Sequence, residues 1–260
     1  MVFVSLEKTV KTMIFKPVIF LPMIVVALVV YLLSNLTTWV LERPITDFVL
    51  YSEAFAGTDI LSVFLTNYPL ETIAMLLCGI FVLLLSIIAL LSMARVANGK
   101  KFVQAINESV LEWKKSLGLT IFVLVVSFLL FILWYVVATI FGIVSDFVAV
   151  VAVTDFLLLI LLPIIIFVVG LILLVRLAFV LPAFVDNNVK KAFQKSWDFS
   201  QKKFISNLVL IIVVLIITYI LWNWISYIGV LVDIEIIFDL LGDVIATTFF
   251  GLAVSYYYFK

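Results

Sequence analysis

No charged side chain occurs between Lys203 and Asp233. An apolar helix of about 20 residues is enough to cross the hydrocarbon of a bilayer. Inside it the backbone has no water to bond, so only helices and closed barrels can span. Comparable runs recur along the chain. Hydrophobic residues make up 67% and charged residues 12% of the sequence, against roughly 45–50% and about 25% in a soluble domain. The expectation is an all-α polytopic membrane protein.

Six spanning helices are predicted, at about 17–38, 69–95, 117–142, 156–182, 205–226 and 237–258. Asn67 and Pro69 look like the start of the second, and Thr154-Asp155 the start of the fourth. Pro163 should kink the fourth. The stretch 39–66 is then the longest non-spanning piece, on the side away from the termini. With Asp146, Asp233 and Glu235 it makes an acidic rim, but its spacing fits no metal-binding loop. Lys8, Lys11 and Lys16 precede the first run, which reads as a span and not as a cleaved leader.

Charge fixes the orientation. With these spans, 15 of the 16 basic residues fall on one side and Arg43 alone on the other, whereas 11 of the 16 acids fall on the Arg43 side. The positive-inside rule then places both termini in the cytoplasm of a cell-membrane protein.

Three segments on the basic side share a pattern. Phe102, Ala105, Ile106, Ser109, Val110 and Trp113 stand at offsets 0, 3, 4, 7, 8 and 11. Val189, Ala192, Phe193, Ser196, Trp197 and Ser200 stand at the same offsets, as do Val2, Ser5, Leu6, Thr9, Val10 and Met13. The spacing is one face of an α-helix. The expectation is three repeats, about 1–98, 99–186 and 187–260, each an amphipathic interfacial helix followed by a transmembrane hairpin.

The third copy carries a further likeness. Ala192, Phe193, Ser196, Trp197, Phe199, Ser200, Lys202 and Phe204 fit the pattern A-(apolar)-x-x-S-W-x-(apolar)-(S/T)-x-(K/R)-x-F. With Arg176 and Pro182 upstream, the segment resembles the membrane domain associated with glycerophosphoryl diester phosphodiesterases. Stand-alone bacterial and archaeal relatives of that domain are mostly of unknown function. The resemblance implies the six-span architecture and no catalytic residue. The sequence has no stretch to hold a phosphodiesterase domain, no histidine and one cysteine, Cys78, so neither a metal nor a cofactor is expected.

Two sets of candidate residues follow. Arg176, Lys190, Lys191, Lys195, Trp197, Lys202 and Lys203 form a candidate lipid interface, the lysines meeting anionic inner-leaflet headgroups. The net charge of zero and the membrane-side aromatic stripe speak against a nucleic-acid partner. Arg176 has two open readings: snorkelling to the interface, or contact with a lipid phosphate or an acid such as Asp198. Asp239, Asp243 and Thr247, followed at the same spacing by Gly251 and Ser255, form a candidate transport stripe on the sixth span. At about 1.5 Å per residue, Asp243 lies roughly 9 Å inside a span that starts near 237. The opposing reading is that the acids complement the helix dipole and the small residues let helices approach. No nucleophile–base set is recognisable. The expected function is therefore non-enzymatic, in membrane organisation or as a membrane scaffold for partner proteins or further copies of the chain. Small-solute or ion transport is the alternative.

Overall fold

The computed structural model describes residues 2–50, 68–148 and 168–260. No strand occurs among them, and the chain is built of α1 (Val2–Phe15), a 3-10 turn (Pro17–Phe20), α2 (Leu21–Leu50), α3 (Pro69–Ala97), α4 (Phe102–Leu111), α5 (Trp113–Val148), α6 (168–177), α7 (Val180–Phe184), α8 (Val189–Lys202), α9 (Phe204–Leu231) and α10 (Glu235–Tyr258). Four helical stretches among the described residues are long and apolar enough to cross a membrane: Pro17–Leu36, Pro69–Ala97, Phe204–Leu231 and Glu235–Tyr258.

Local chemistry sets the helix ends. Pro69 opens α3 at its first helical position, where a missing N–H costs nothing. Glu71 in the first turn and Arg95 in the last complement the dipole. Asn188 caps α8, its side chain accepting from the Lys191 amide at 3.0 Å. Pro182 lacks the N–H that would bond the Ala178 carbonyl, and the chain turns at 178–179 between α6 and α7. α9 folds back onto α10 through Asp233, whose φ of 58° is left-handed, with the Ile234 amide bonded to the Gly229 carbonyl at 3.0 Å. A Cβ on Gly229 would lie 2.6 Å from that of Phe238, so only glycine permits this close return.

One boundary differs plainly from expectation. α2 continues as helix to Leu50, through the start of the segment predicted to be non-spanning. Low charge reports residence in hydrocarbon, not helicity, and a helix need not end where it leaves lipid. α5 covers the whole of 117–142. The fourth predicted span is described from 168 onward. Thr154, Asp155, Pro163 and Asn67 lie outside the described residues, as do 51–67 of the predicted external stretch.

α10 is the centre of the packing. Phe249, Ala253, Val254 and Tyr257 bury against Val175, Phe179, Leu210, Ile211 and Val214. Val244 and Leu252 bury against Ile19, Met23, Val26, Ala89 and Met93. Gly251 lets α10 approach α3: a Cβ there would stand 2.8 Å from a Leu90 methyl. Large apolar side chains such as Leu70, Leu77, Ile216 and Tyr219 face outward, the expected polarity of a helix in lipid.

The short helices gather where α3 and α10 finish, here termed the basic end. α1 packs on α10, α4 on α3, and α8 on α7 and α5. In each, the same positions are sealed. Ser5 and Thr9, Ala105 and Ser109, and Ala192 and Ser196 are all 0% exposed. Offset 8 lies outward in all three, at Val10, Val110 and Trp197.

Candidate functional site

The buried face of each short helix is made of Ala, Ser and Thr because the backbone of a span lies directly against it. Hydroxyls on such a face need partners. Thr9 Oγ1 donates to the Ser5 carbonyl at 2.8 Å, and Ser109 Oγ to the Ala105 carbonyl at 2.8 Å. Ser196 Oγ reaches out of its helix instead, donating to the Arg176 carbonyl at 2.5 Å.

Arg176 is fixed from its side chain as well. Its Nη1 donates to the Trp197 carbonyl at 3.0 Å and to Ser200 Oγ at 3.3 Å. Its guanidinium carbon stands 4.5 Å from the centre of the Trp197 ring and 6.0 Å from that of Phe204. Asp198, named in one of the two open readings, is not among these partners. Residues 196, 197 and 200 share one flank of α8, whereas 198 lies roughly opposite at about 100° per residue. Trp197 is 37% exposed and also touches Phe193, whose ring meets Phe122 of α5 edge-on at 5.7 Å. The aromatic stripe therefore divides: Phe193 packs on α5, and Trp197 lies at the rim. Lys190, Lys191, Lys195, Lys202 and Lys203 are all exposed.

Sequence reasoning missed a second arginine. Arg95, at the end of α3, is 2% exposed. Its Nη1 donates to Ser109 Oγ at 2.9 Å, and its Nη2 lies 2.6 Å from Glu112 Oε2. Glu108 Oε2 stands 3.8 Å from Arg95 Nε and is also bound by Lys100. Lys115 closes on Glu112 at 3.2 Å. The hydrogen bond from Lys100 holds the Glu108 carboxyl below the usual carboxylate range; partial burial opposes this, and Gln104 and the Lys100 and Arg95 charges add to it. The signal in the sequence was the pair itself. Glu108 and Glu112 are acids on the basic side, four apart on one helical flank.

α1 is tied by other means. Its Thr12 hydroxyl shares a 2.7 Å hydrogen bond with that of Tyr256 on α10. Next to it, Tyr257 shares one with Ser206 at 2.7 Å. On the exposed side of α1, Lys11 bonds Glu7 at 2.6 Å, which lowers the Glu7 pKa.

The stripe on α10 does not stay on one surface. Asp239 and Asp243 are exposed, Thr247 is half-buried, and Gly251 and Ser255 are buried. A groove of about 730 Å³ at the far end is lined by Leu28, Tyr31, Asp233, Glu235 and neighbouring apolar residues, without Asp239 or Asp243. Among the described residues no group of three or more His, Cys, Asp or Glu side chains is placed to hold a metal ion. No family model matches the chain, and no curated protein or solved structure matches it.

Proposed function

We propose that the chain is a non-enzymatic six-span protein of the cell membrane, with both termini cytoplasmic and three in-plane helices acting as collars on the inner leaflet. It organises membrane or holds partner proteins there. The observation that carries this reading is the shared burial pattern of α1, α4 and α8. The same two small positions are sealed in each, and an apolar side chain at offset 8 is left outward in each. Phe3, Ile14 and Phe15 on α1, and Val103 and Leu111 on α4, enlarge that outward apolar surface. Side chains of this kind beside lysines are what a headgroup–acyl boundary stabilises.

The arrangement also supports the repeat. α4 rests on the helix that precedes it, α3, and α8 rests on α7. α1 rests on α10. The Arg176–Phe204 segment adds the likeness to the phosphodiesterase-associated membrane domain, read here as architecture only.

Amide exchange in lipid nanodiscs tests the collars. Val110→Glu should speed exchange within Phe102–Leu111, and Trp197→Glu within Val189–Lys202. Unchanged exchange in both variants would sink the proposal. The transport reading draws on Asp243 and on the buried Thr248 and Ser255 hydroxyls further along α10, which have no hydrogen-bond partner. It requires solute flux in proteoliposomes that collapses in Asp243→Asn. Absent flux, or flux unaltered by the substitution, excludes it.

A further inference from the structure

A groove of about 530 Å³ opens at the basic end between α4 and the start of α8. Arg95, Lys100, Lys115 and Lys191 line it together with Glu108, Glu112, Asp186, Asn187 and Asn188. This volume falls in the range of small-ligand sites, about 300–1,000 Å³. Lys100 is matched by Glu108, whereas Arg95 and Lys115 share the single negative charge of Glu112, which leaves one of these two cations in excess. Two further charges have no pair. Among the described residues no ion pair reaches Lys191 or Asp186. One cation and one anion therefore stand in the same groove without a fixed counter-charge.

Other features give the groove polarity. Asn187 and Asn188 bring the N-terminus of α8 to its edge, where backbone N–H groups favour an anion. Arg95 forms the floor, and its Nε is buried without a hydrogen-bond partner. The cationic side thus combines Lys115, Lys191, the helix end and the guanidinium behind them. Asp186 supplies the opposite charge. A purely anionic guest would meet Asp186 unfavourably, and a purely cationic one would meet the lysines.

We infer that this groove binds a phosphoethanolamine-type group, its phosphate held by Lys115, Lys191 and the α8 N-terminus and its ammonium by Asp186. The group can come from a membrane phospholipid or from a soluble phosphoethanolamine. The lipid source rests on the proposal that the basic end lies at the headgroups; the groove itself does not.

The test uses the full chain in detergent micelles, with isothermal titration of three probes: dihexanoyl phosphatidylethanolamine, dihexanoyl phosphatidylglycerol and O-phosphoethanolamine. Saturable binding of the first is expected, weakened about tenfold or more in Lys115→Gln/Lys191→Gln, the scale of losing a charge-assisted contact. Asp186→Asn should weaken the ethanolamine lipid by a similar factor and leave the glycerol lipid within about threefold. Lys8→Gln, an exposed lysine of α1 outside the groove, should change nothing. Tighter binding of the lipid than of O-phosphoethanolamine assigns the lipid source; equal binding assigns the soluble one. The inference is overturned if none of the probes saturates, if the double lysine variant binds as the parent does, or if Asp186→Asn affects both lipids alike. O-phosphoethanolamine needs no bilayer, so failure here is distinguishable from failure of the collar proposal, which nanodisc exchange reads separately.

Discussion

Arg95→Met removes a guanidinium and keeps an apolar stem in its place. The Arg95 side chain is 3% exposed. The substitution deletes the 2.9 Å bond to Ser109 and the 2.6 Å pairing with Glu112. Stranding the partner of a buried ion pair costs about 3–5 kcal/mol, but Glu112 is not stranded. Its side chain is 38% exposed and keeps Lys115 at 3.2 Å. Ser109 likewise keeps its bond to the Ala105 carbonyl. What is lost is one or two charge-assisted bonds at about 1.5–3 kcal/mol each, discounted for the solvent that Glu112 reaches, or about 2–3 kcal/mol in all. At ten residues α4 is too short to persist alone, so the loss should appear as local detachment. Amide protection over Phe102–Leu111 should fall about 30- to 150-fold, with little change in α9. In a Glu112→Gln background the same substitution should cost about half as much. A fall of less than about threefold, or an equal fall in both backgrounds, refutes the claim that Arg95 anchors α4 through Glu112.

Three further outcomes are expected. Glu108 has a folded pKa below its unfolded one, so its contribution is fully present above the unfolded value and is lost as pH falls below about 4.3 toward the folded value. Melting curves between pH 6 and pH 3.5 should therefore steepen this loss in the parent and flatten it in Glu108→Gln; parallel curves would argue against the pairing. Gly251→Leu should destabilise by about 1–3 kcal/mol, since a Cβ already stands 2.8 Å from Leu90 and 3.6 Å from the Met93 sulfur, and an unchanged melting temperature would show that α3 and α10 are not in close contact. Ser196→Ala should cost about 1 kcal/mol for the bond to the Arg176 carbonyl and Ser196→Leu more, because the site is 0% exposed; the reverse order in thermal melts would place this face of α8 away from the bundle.

Much of the architecture was legible because hydrocarbon tolerates so little. The absence of charge after Lys203 and Thr72 marks α9 and α3 without any knowledge of their neighbours. The sealed faces of the short helices were legible too, since Ser5/Thr9, Ala105/Ser109 and Ala192/Ser196 repeat at one spacing. What seals them was not. Arg95 meets Ser109 across 14 positions and Arg176 meets Ser200 across 24, and periodicity within one helix says nothing of a partner in another. Neither snorkelling nor an acid such as Asp198 named the partners of Arg176, whose guanidinium took a carbonyl, a hydroxyl and an aromatic ring on the flank that faced it.

The α10 stripe shows the limit of spacing in its simplest form. Four residues turn a helix by about 400°, so each step drifts about 40° from the last. From Asp239 to Ser255 the drift accumulates to roughly 160°, nearly the opposite face. The burial follows this: Asp239 and Asp243 are exposed, Thr247 is intermediate, and Gly251 and Ser255 are packed. A spacing of four therefore defines a shared surface for two steps and not for four. Asp239, Asp243 and Thr247 can act together, while Gly251 and Ser255 belong to the contact that holds α10 in the bundle. Beyond Thr247 a polar path along α10 would have to run through its packed face, where the Thr248 and Ser255 hydroxyls lie buried.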